Sequence, residues 1–238
     1  MEERLQNILA HAGVASRRAS ATMIESGVVT VDGLVVREPG ARFDPGTAAI
    51  RVNGRALVVA SAKRTIALYK PVGVLSTMSD PFGGRTVADL VQVSERLVPV
   101  GRLDKDSEGL LLMSNDGDLV NRLTHPRFEH RKTYLVRVAG RWSEEKLALL
   151  RSPLTLDDGY TIHPVPVEVV RENNDNTCVL KFVLKEGRKR QIRKMCSAAH
   201  LVVLSLRRVQ VGAFALPPEL GPGEWRDLTA DEVKALFA

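Results

Sequence analysis

Five runs of β-branched or alternating apolar residues lie between residues 66 and 211, and they constrain the fold more than any other feature of the chain. Such runs are typical of strands, and they cover residues 66–69, 109–113, 133–138, 177–184 and 204–211. Residues 118–123, 143–150 and 188–199 are predicted to be helical. Thr229 and Glu232 form the pattern of a capping box, which predicts a last helix at 229–237. Strands with interspersed helices predict an α+β fold with a mostly antiparallel mixed sheet.

Residues 1–60 carry helical signals followed by turn signals. Leu5, Ile8 and Leu9 form an apolar stripe at helical spacing, and Gly13 follows where this helix is expected to end. Ser16 is a suitable N-cap for a second helix, which is expected to end before Gly27.

Two dipeptides in this region, Asp32-Gly33 and Asn53-Gly54, favour two-residue hairpin turns of type I′. They lie within the apolar runs 28–36 and 50–59, so we expect two hairpins here. The region is predicted to be a small N-terminal domain at 1–60. Residues 61–64 are the expected linker, and 64–238 the expected second domain.

The composition, with 44% hydrophobic and 26% charged residues, is that of a soluble globular protein. No apolar run is long enough to span a bilayer, and residues 1–4 do not resemble a secretory signal. The chain has only two cysteines, Cys178 and Cys196, which argues against a disulfide framework and a zinc module and fits a reducing cytoplasm.

Positive charge is concentrated in one stretch of the chain. The net charge is +6, and residues 181–208 contain nine Lys or Arg against one acid, Glu186. Such a concentration is expected for a protein with a phosphate-rich partner. A solvated basic helix face is the alternative interpretation.

The segment 101–117 combines acidic, Ser and Gly residues with a run of leucines. Asp104, Asp106 and Glu108 imitate the first half of a calcium-binding EF-hand loop. The imitation fails at the last ligand position, because Asn115 cannot supply a bidentate carboxylate. A surface turn without function is the other alternative.

The same segment resembles the signature of the RsuA/RluB/RluE/RluF group of pseudouridine synthases. The resemblance rests on Gly101-Arg102-Leu103-Asp104, on Ser107 with Gly109-Leu110-Leu111, and on Asn115-Asp116-Gly117. Three further segments resemble family motifs in the expected order, namely Tyr69-Lys70-Pro71, Lys132-Thr133-Tyr134 and 186–195. The N-terminal strings 5–18 and 24–33 are similar to the S4 RNA-binding domain.

The resemblance implies the isomerisation of a uridine in ribosomal RNA. It makes Asp104 the catalytic carboxylate, Arg193 the cation that keeps Asp104 charged, and Tyr134 the ring that stacks on the extruded base. Arg102 is the residue that fills the vacated position in the RNA. The chemistry fits these residue types, because breaking the N1–C1′ bond develops charge at the sugar. An aspartate can attack C1′ or remove the 2′ proton.

The partner implied by the resemblance is 23S rRNA, free or in an assembling large subunit, and the same reaction on 16S rRNA is the alternative. A non-catalytic rRNA-binding protein and a DNA-binding regulator fit less well, since Asp104, Tyr134 and Arg193 are all present and no helix-turn-helix pattern is found. We expect a monomer that needs no cofactor and no metal. The predicted RNA-binding residues are Arg17, Arg18, Lys70, Lys132, Arg188, Lys189, Arg190 and Lys194.

Overall fold

The computed structural model describes residues 2–57, 62–156 and 159–238. The chain forms two compact units. The first contains the residues up to Arg64 together with Val93–Leu97 and Asn115–Gly117, and the second contains the rest. Val58 and Val59 of the predicted second hairpin, and Ser61 of the predicted linker, lie outside the described residues.

The first unit contains two helices and six short strands within its described part. In chain order they are β1 (Glu3–Arg4), α1 (Leu5–His11), α2 (Arg17–Glu25), β2 (Val29–Val31), β3 (Leu34–Val35), β4 (Arg42–Phe43), β5 (Ile50–Val52) and β6 (Arg55–Ala56). Strands β3-β2-β5-β6 form an antiparallel sheet. The Ser16 hydroxyl accepts a hydrogen bond from the Ala19 amide at 3.2 Å, which confirms the predicted cap of α2.

Both predicted hairpins are confirmed by backbone conformation. Asp32 and Gly33 have φ angles of 50° and 85°, and Asn53 and Gly54 have φ angles of 49° and 77°. Two consecutive residues with positive φ define the type I′ turn, whose twist matches the flanking strands. The apolar sides of the helices and strands meet in one small core, made of Leu5, Ile8, Leu9, Ile24, Val29, Val31 and Ile50.

The second unit is built on a large mixed sheet, and its strands are β7 (Thr65–Lys70), β8 (Val98–Val100), β9 (Glu108–Ser114), β10 (Lys132–Ala139), β11 (Leu154–Thr155), β12 (Thr161–Ile162), β13 (Val167–Glu172), β14 (Thr177–Leu184), β15 (Val202–Val211), β16 (Phe214–Ala215) and β17 (Trp225–Asp227). Its helices are α3 (Gly117–Thr124), α4 (Glu144–Arg151), α5 (Gln191–Ala198) and α6 (Ala230–Ala235). The order is β13-β14-β10-β15-β9-β7-β17, with β16 beside β15 and β8 beside β9.

The sheet is antiparallel except at the contact between β9 and β15, which confirms the predicted class. At that contact Gly109 is opposite Arg208. A β-carbon at Gly109 would collide with the carbonyl oxygen of Arg208, and its φ of +101° favours glycine as well. Gly109 therefore allows the two strands to meet next to the loop that precedes β9.

All five predicted strands and all predicted helices of this unit exist, with bounds that differ by a few residues. The largest difference is in α5, which begins at Gln191 and not at residue 188. Arg190 has a left-handed backbone, with φ 55° and ψ 29°, and such a residue cannot continue an α-helix. Thr229 and Glu232 form the predicted capping box at the start of α6.

Six strands of this unit were not predicted, namely β8, β11, β12, β13, β16 and β17. Pro99 lies inside β8, and β11, β12, β16 and β17 have only two or three residues each. In β13 the alternation of apolar and charged residues breaks after Val169, where the pairing with β14 shifts in register. Such strands exist because neighbouring strands pair with them.

Cys178 and Cys196 are both buried, and burial raises the pKa of Cys196 to about 12. In the described part of the chain, no helix has the length and apolar character needed to cross a membrane.

Candidate active site

The loop between β8 and β9 carries the segment singled out by sequence. Asp104 follows Leu103, which is buried and is held in place by Ser76. The Ser76 hydroxyl accepts from the Leu103 amide at 3.0 Å and donates to the Leu103 carbonyl at 2.8 Å. The Gly73 amide donates to the Lys105 carbonyl at 2.7 Å. The backbone on both sides of Asp104 is therefore fixed by the segment that follows β7.

Lys70, the last residue of β7, lies beneath this loop and is completely buried. Its Nζ donates to the carbonyl of Ser107 at 2.7 Å and to that of Pro71 at 2.9 Å. Burial lowers the pKa of Lys70 to about 8, although the negative charges of Asp104, Asp106 and Glu108 oppose this shift. This position corrects the predicted RNA-binding role, because a side chain with no exposed surface cannot contact RNA.

Asp104 is half-buried and lines a cavity of about 540 Å³, which we call the catalytic cavity. Tyr134 and Arg193 also line it, so the structure brings together the three residues predicted to be catalytic. Arg102, Arg188, Lys189 and Arg190 lie on the same lining. The cavity thus combines one carboxylate, one phenol and several cations.

The predicted pair between Arg193 and Asp104 is not formed, and Arg193 contacts Asp106 in its place. Arg193 Nη2 lies 3.2 Å from the Asp106 carboxylate and donates to the Asp106 carbonyl at 2.9 Å. Arg190 adds two hydrogen bonds to the same carboxylate, at 2.9 and 3.2 Å. Asp106 lies two residues after Asp104, and its side chain faces Arg190, which precedes α5, and Arg193, which lies in α5. Arg193 therefore pairs with Asp106 and not with Asp104.

The charge of Asp106 is balanced by these contacts. Burial alone would raise the pKa of Asp106, but the hydrogen bond from Arg190 and the charges of Arg193 and Arg190 outweigh it and lower the pKa. The hydrogen bond to Asp106 raises the pKa of Arg190 in turn. Asp106 was not among the residues predicted to form the site. The available signal for a role of Asp106 was its position: it is an acid two residues after Asp104, in a chain with a basic segment further along the sequence.

Tyr134 lies on β10, buried to all but 8% of its surface, between Arg208 on β15 and Phe182 on β14. Lys132 lies two residues earlier on the same face of β10. Burial and the charge of Arg208 lower the pKa of Lys132 to about 8. Arg208 was also missed in the sequence, because nothing marks it among the other basic residues of 181–208.

The remaining predicted RNA-binding residues lie mainly at the surface. Arg188, Lys189 and Arg190 are exposed before α5, and Lys194 is partly buried. Arg17 and Arg18 are exposed at the start of α2 in the first unit. Within the described residues, no group of three His, Cys, Asp or Glu side chains could hold a metal ion.

Comparison with known proteins identifies the family of the chain. The sequence model of the family described as RNA pseudouridylate synthase matches residues 64–198, and that of the S4 domain matches residues 3–48. An uncharacterized RNA pseudouridine synthase of Mycobacterium leprae is 43% identical, over 98% of this chain and 92% of the relative. Ribosomal large subunit pseudouridine synthase B of Bacillus subtilis is 39% identical, over 99% and 96% of the two chains.

A solved structure supports the same assignment. The crystal structure of a pseudouridylate synthase superposes with a TM-score of 0.71 and 26% identity, over 98% of this chain and 99% of the other. The family model covers more than half of the chain, and the curated relatives cover nearly all of it. The chain therefore belongs to the RNA pseudouridylate synthase family and carries an S4 domain at its N-terminal end.

Proposed function

We propose that this protein converts a uridine of 23S ribosomal RNA to pseudouridine, with Asp104 as the catalytic carboxylate. The proposal rests on one observation, which is that the same cavity is lined by Asp104, Tyr134 and Arg193. The relatives from Bacillus subtilis and Vibrio vulnificus, named ribosomal large subunit pseudouridine synthase B, support the large-subunit RNA as the substrate.

Asp104 acts as an ionised group in this proposal, at C1′ or at the 2′ proton of the target ribose. Lys70 and Arg190 both interact electrostatically with Asp104, so two cations lie near this carboxylate. A half-buried position keeps the carboxylate close to the ribose while the loop backbone holds it in place. Arg193 orders the loop through Asp106 before RNA binds.

The target base must leave the RNA helix to reach Asp104, at a cost of a few kcal/mol. In this proposal Tyr134 stacks on the extruded uracil, and its hydroxyl assists at C5. Arg102 is exposed at the cavity, and within the described residues its side chain has no hydrogen-bond or ion-pair partner. Arg102 is therefore available to enter the vacated position in the RNA.

In this proposal the two predicted domains have different roles. The domain at 64–238 carries the reaction, and the domain at 1–60 holds structured RNA through Arg17 and Arg18. Around the catalytic cavity, Arg188, Lys189, Arg190 and Lys194 hold backbone phosphates, which makes binding sensitive to salt.

Mapping of pseudouridines in rRNA tests this proposal. Ribosomal RNA from cells with and without the gene is compared position by position, in both 16S and 23S rRNA. We expect one position of 23S rRNA, or a small cluster, to lose pseudouridine and to regain it on complementation. Loss at a 16S position would move the substrate to the small subunit, and identical maps would contradict the proposal.

A further inference from the structure

A second cavity of about 320 Å³ adjoins the catalytic cavity, and its lining includes Lys132 and Arg208. Its volume is close to the lower limit for pockets that hold small ligands. Arg102, Tyr134 and Arg188 line both cavities, so the two meet at these side chains. A molecule that occupies the catalytic cavity can therefore extend into the second cavity.

Arg208 is a buried cation without a neutralising partner. Only 3% of its surface is exposed, and its Nε donates to the Leu110 carbonyl at 2.7 Å. No carboxylate of the described chain lies within ion-pairing distance of Arg208. One carbonyl satisfies one donor of a guanidinium but does not balance its charge.

Lys132 is a second cation of this cavity, and it is partly buried. Its Nζ donates to the His130 carbonyl at 3.1 Å, and no carboxylate in the described ranges pairs with it. The acid of the lining, Glu186, is engaged elsewhere, with Tyr160 Oη at 3.0 Å and Gln191 Nε2 at 3.0 Å. Lys132 and Arg208 thus share one cavity in which, among the described residues, no carboxylate pairs with either of them.

This arrangement costs folding free energy, because buried charges need a partner. The lowered pKa of Lys132 has burial and the Arg208 charge as its causes. A pKa of about 8 leaves the amine mostly protonated at neutral pH, so both cations persist. Unfavourable local features of this kind are concentrated at functional sites, where a ligand supplies the missing interaction.

We propose that the second cavity binds a phosphodiester group of the RNA next to the target uridine, with Lys132 and Arg208 as the residues that hold it. This inference rests on the proposed function, since it assumes that the target nucleotide occupies the catalytic cavity. A phosphodiester carries one negative charge and several acceptor oxygens, which suits a guanidinium and an ammonium together. The flanking nucleotide then fixes the register of the target over Asp104.

The first test compares two lysine variants in binding to a short RNA that contains the uridine identified by mapping. Lys132→Met should raise Kd about tenfold and reduce the slope of log K against log salt by about 0.7–0.9. Lys181→Met is the matched control, since Lys181 lies outside both cavities and pairs with Glu168 at 3.3 Å. Equal Kd and equal slope for the two variants would overturn the proposal.

The second test places a neutral methylphosphonate at each linkage near the target, one at a time. With the unaltered protein, one linkage beside the uridine should weaken binding about tenfold. That penalty should disappear in Lys132→Met. A series with no sensitive linkage overturns the proposal even if the variant does not fold, and a penalty that persists in a folded variant overturns the role of Lys132.

The proposed function and the proposed phosphate site can be tested separately. If the unaltered protein forms no pseudouridine in this RNA, the proposed function falls. If it forms pseudouridine while Lys132→Met binds as tightly as Lys181→Met, only the phosphate site falls.

Discussion

The guanidinium of Arg193 contacts Asp106 twice, at 3.2 Å to the carboxylate and at 2.9 Å to the main-chain carbonyl. These contacts join the start of α5 to the loop that carries Asp104. Asp106 is therefore a positioning residue for the proposed site, and it accepts from Arg190 as well.

Replacing Asp106 should lower the activity strongly and the stability only slightly. In Asp106→Asn the charge that holds Arg190 and Arg193 is lost, so we expect kcat/KM to fall roughly tenfold. The Asp106 side chain is 45% exposed, and solvent screening should keep the loss of unfolding free energy within about 1 kcal/mol. Asp175→Asn, which breaks a surface pair with Arg137, is the control and should leave activity unchanged. Normal activity of Asp106→Asn would contradict the positioning role.

Arg193→Lys tests the geometry of the same contact. Lysine keeps the positive charge, but its shorter side chain and freely rotating ammonium do not reproduce the reach and fixed direction with which Nη2 contacts both the carbonyl and the carboxylate of Asp106. We expect single-turnover rates to fall about tenfold or more. Arg137→Lys makes the same change at the surface and should have no effect. A rate within error of the wild type would show that charge alone is sufficient at this position.

Asp104→Asn removes the carboxylate charge with almost no change in size. RNA affinity should be retained, while turnover should fall by about a thousandfold or more, because the reacting group itself is lost. Release of tritium from 5-tritiated uridine in rRNA measures turnover, and a binding titration measures affinity. Appreciable release by this variant would remove Asp104 from the mechanism.

Arg17 and Arg18 should matter for binding and not for the chemical step. Both are exposed in the first turn of α2, where the helix dipole disfavours cations, so replacing both with alanine should not destabilise the fold. We expect Kd for rRNA to rise roughly tenfold and the salt slope to decrease by about 1–2. The single-turnover rate at saturating protein should be unchanged. A collapse of that rate would give the N-terminal domain a part in catalysis.

The stability of the protein should depend on pH through Lys132. Its pKa in the folded protein is about 8, below the ordinary 10.5, so the unfolded chain binds more protons between these values. The contribution of Lys132 to stability therefore increases as pH rises from 8 to 10.5. At pH 7 Lys132→Met should be more stable than wild type, by on the order of 2 kcal/mol. Urea unfolding at pH 7 and pH 9.5 should show this advantage shrinking, and an advantage independent of pH would refute the explanation.

Local sequence determined much of this protein. The turns Asp32-Gly33 and Asn53-Gly54, the cap Ser16 and the capping box at Thr229 were all predicted, because neighbouring residues decide these conformations. The strands at 66–69 and 177–184 were predicted as well, because alternation and β-branching are visible in the chain. The family was recognisable from short motifs in order, and the comparisons confirm it.

Tertiary structure alone decided which charges meet. Lys70 looked like a surface cation and is buried beneath the Asp104 loop, and Arg193 looked like the partner of Asp104 and contacts Asp106. Arg208 and Lys132 come together because β15 pairs with β10 across more than sixty residues of chain. Such contacts depend on strand order and register, which are set by the packing of the whole sheet, whereas caps and turns depend on residues a few positions apart.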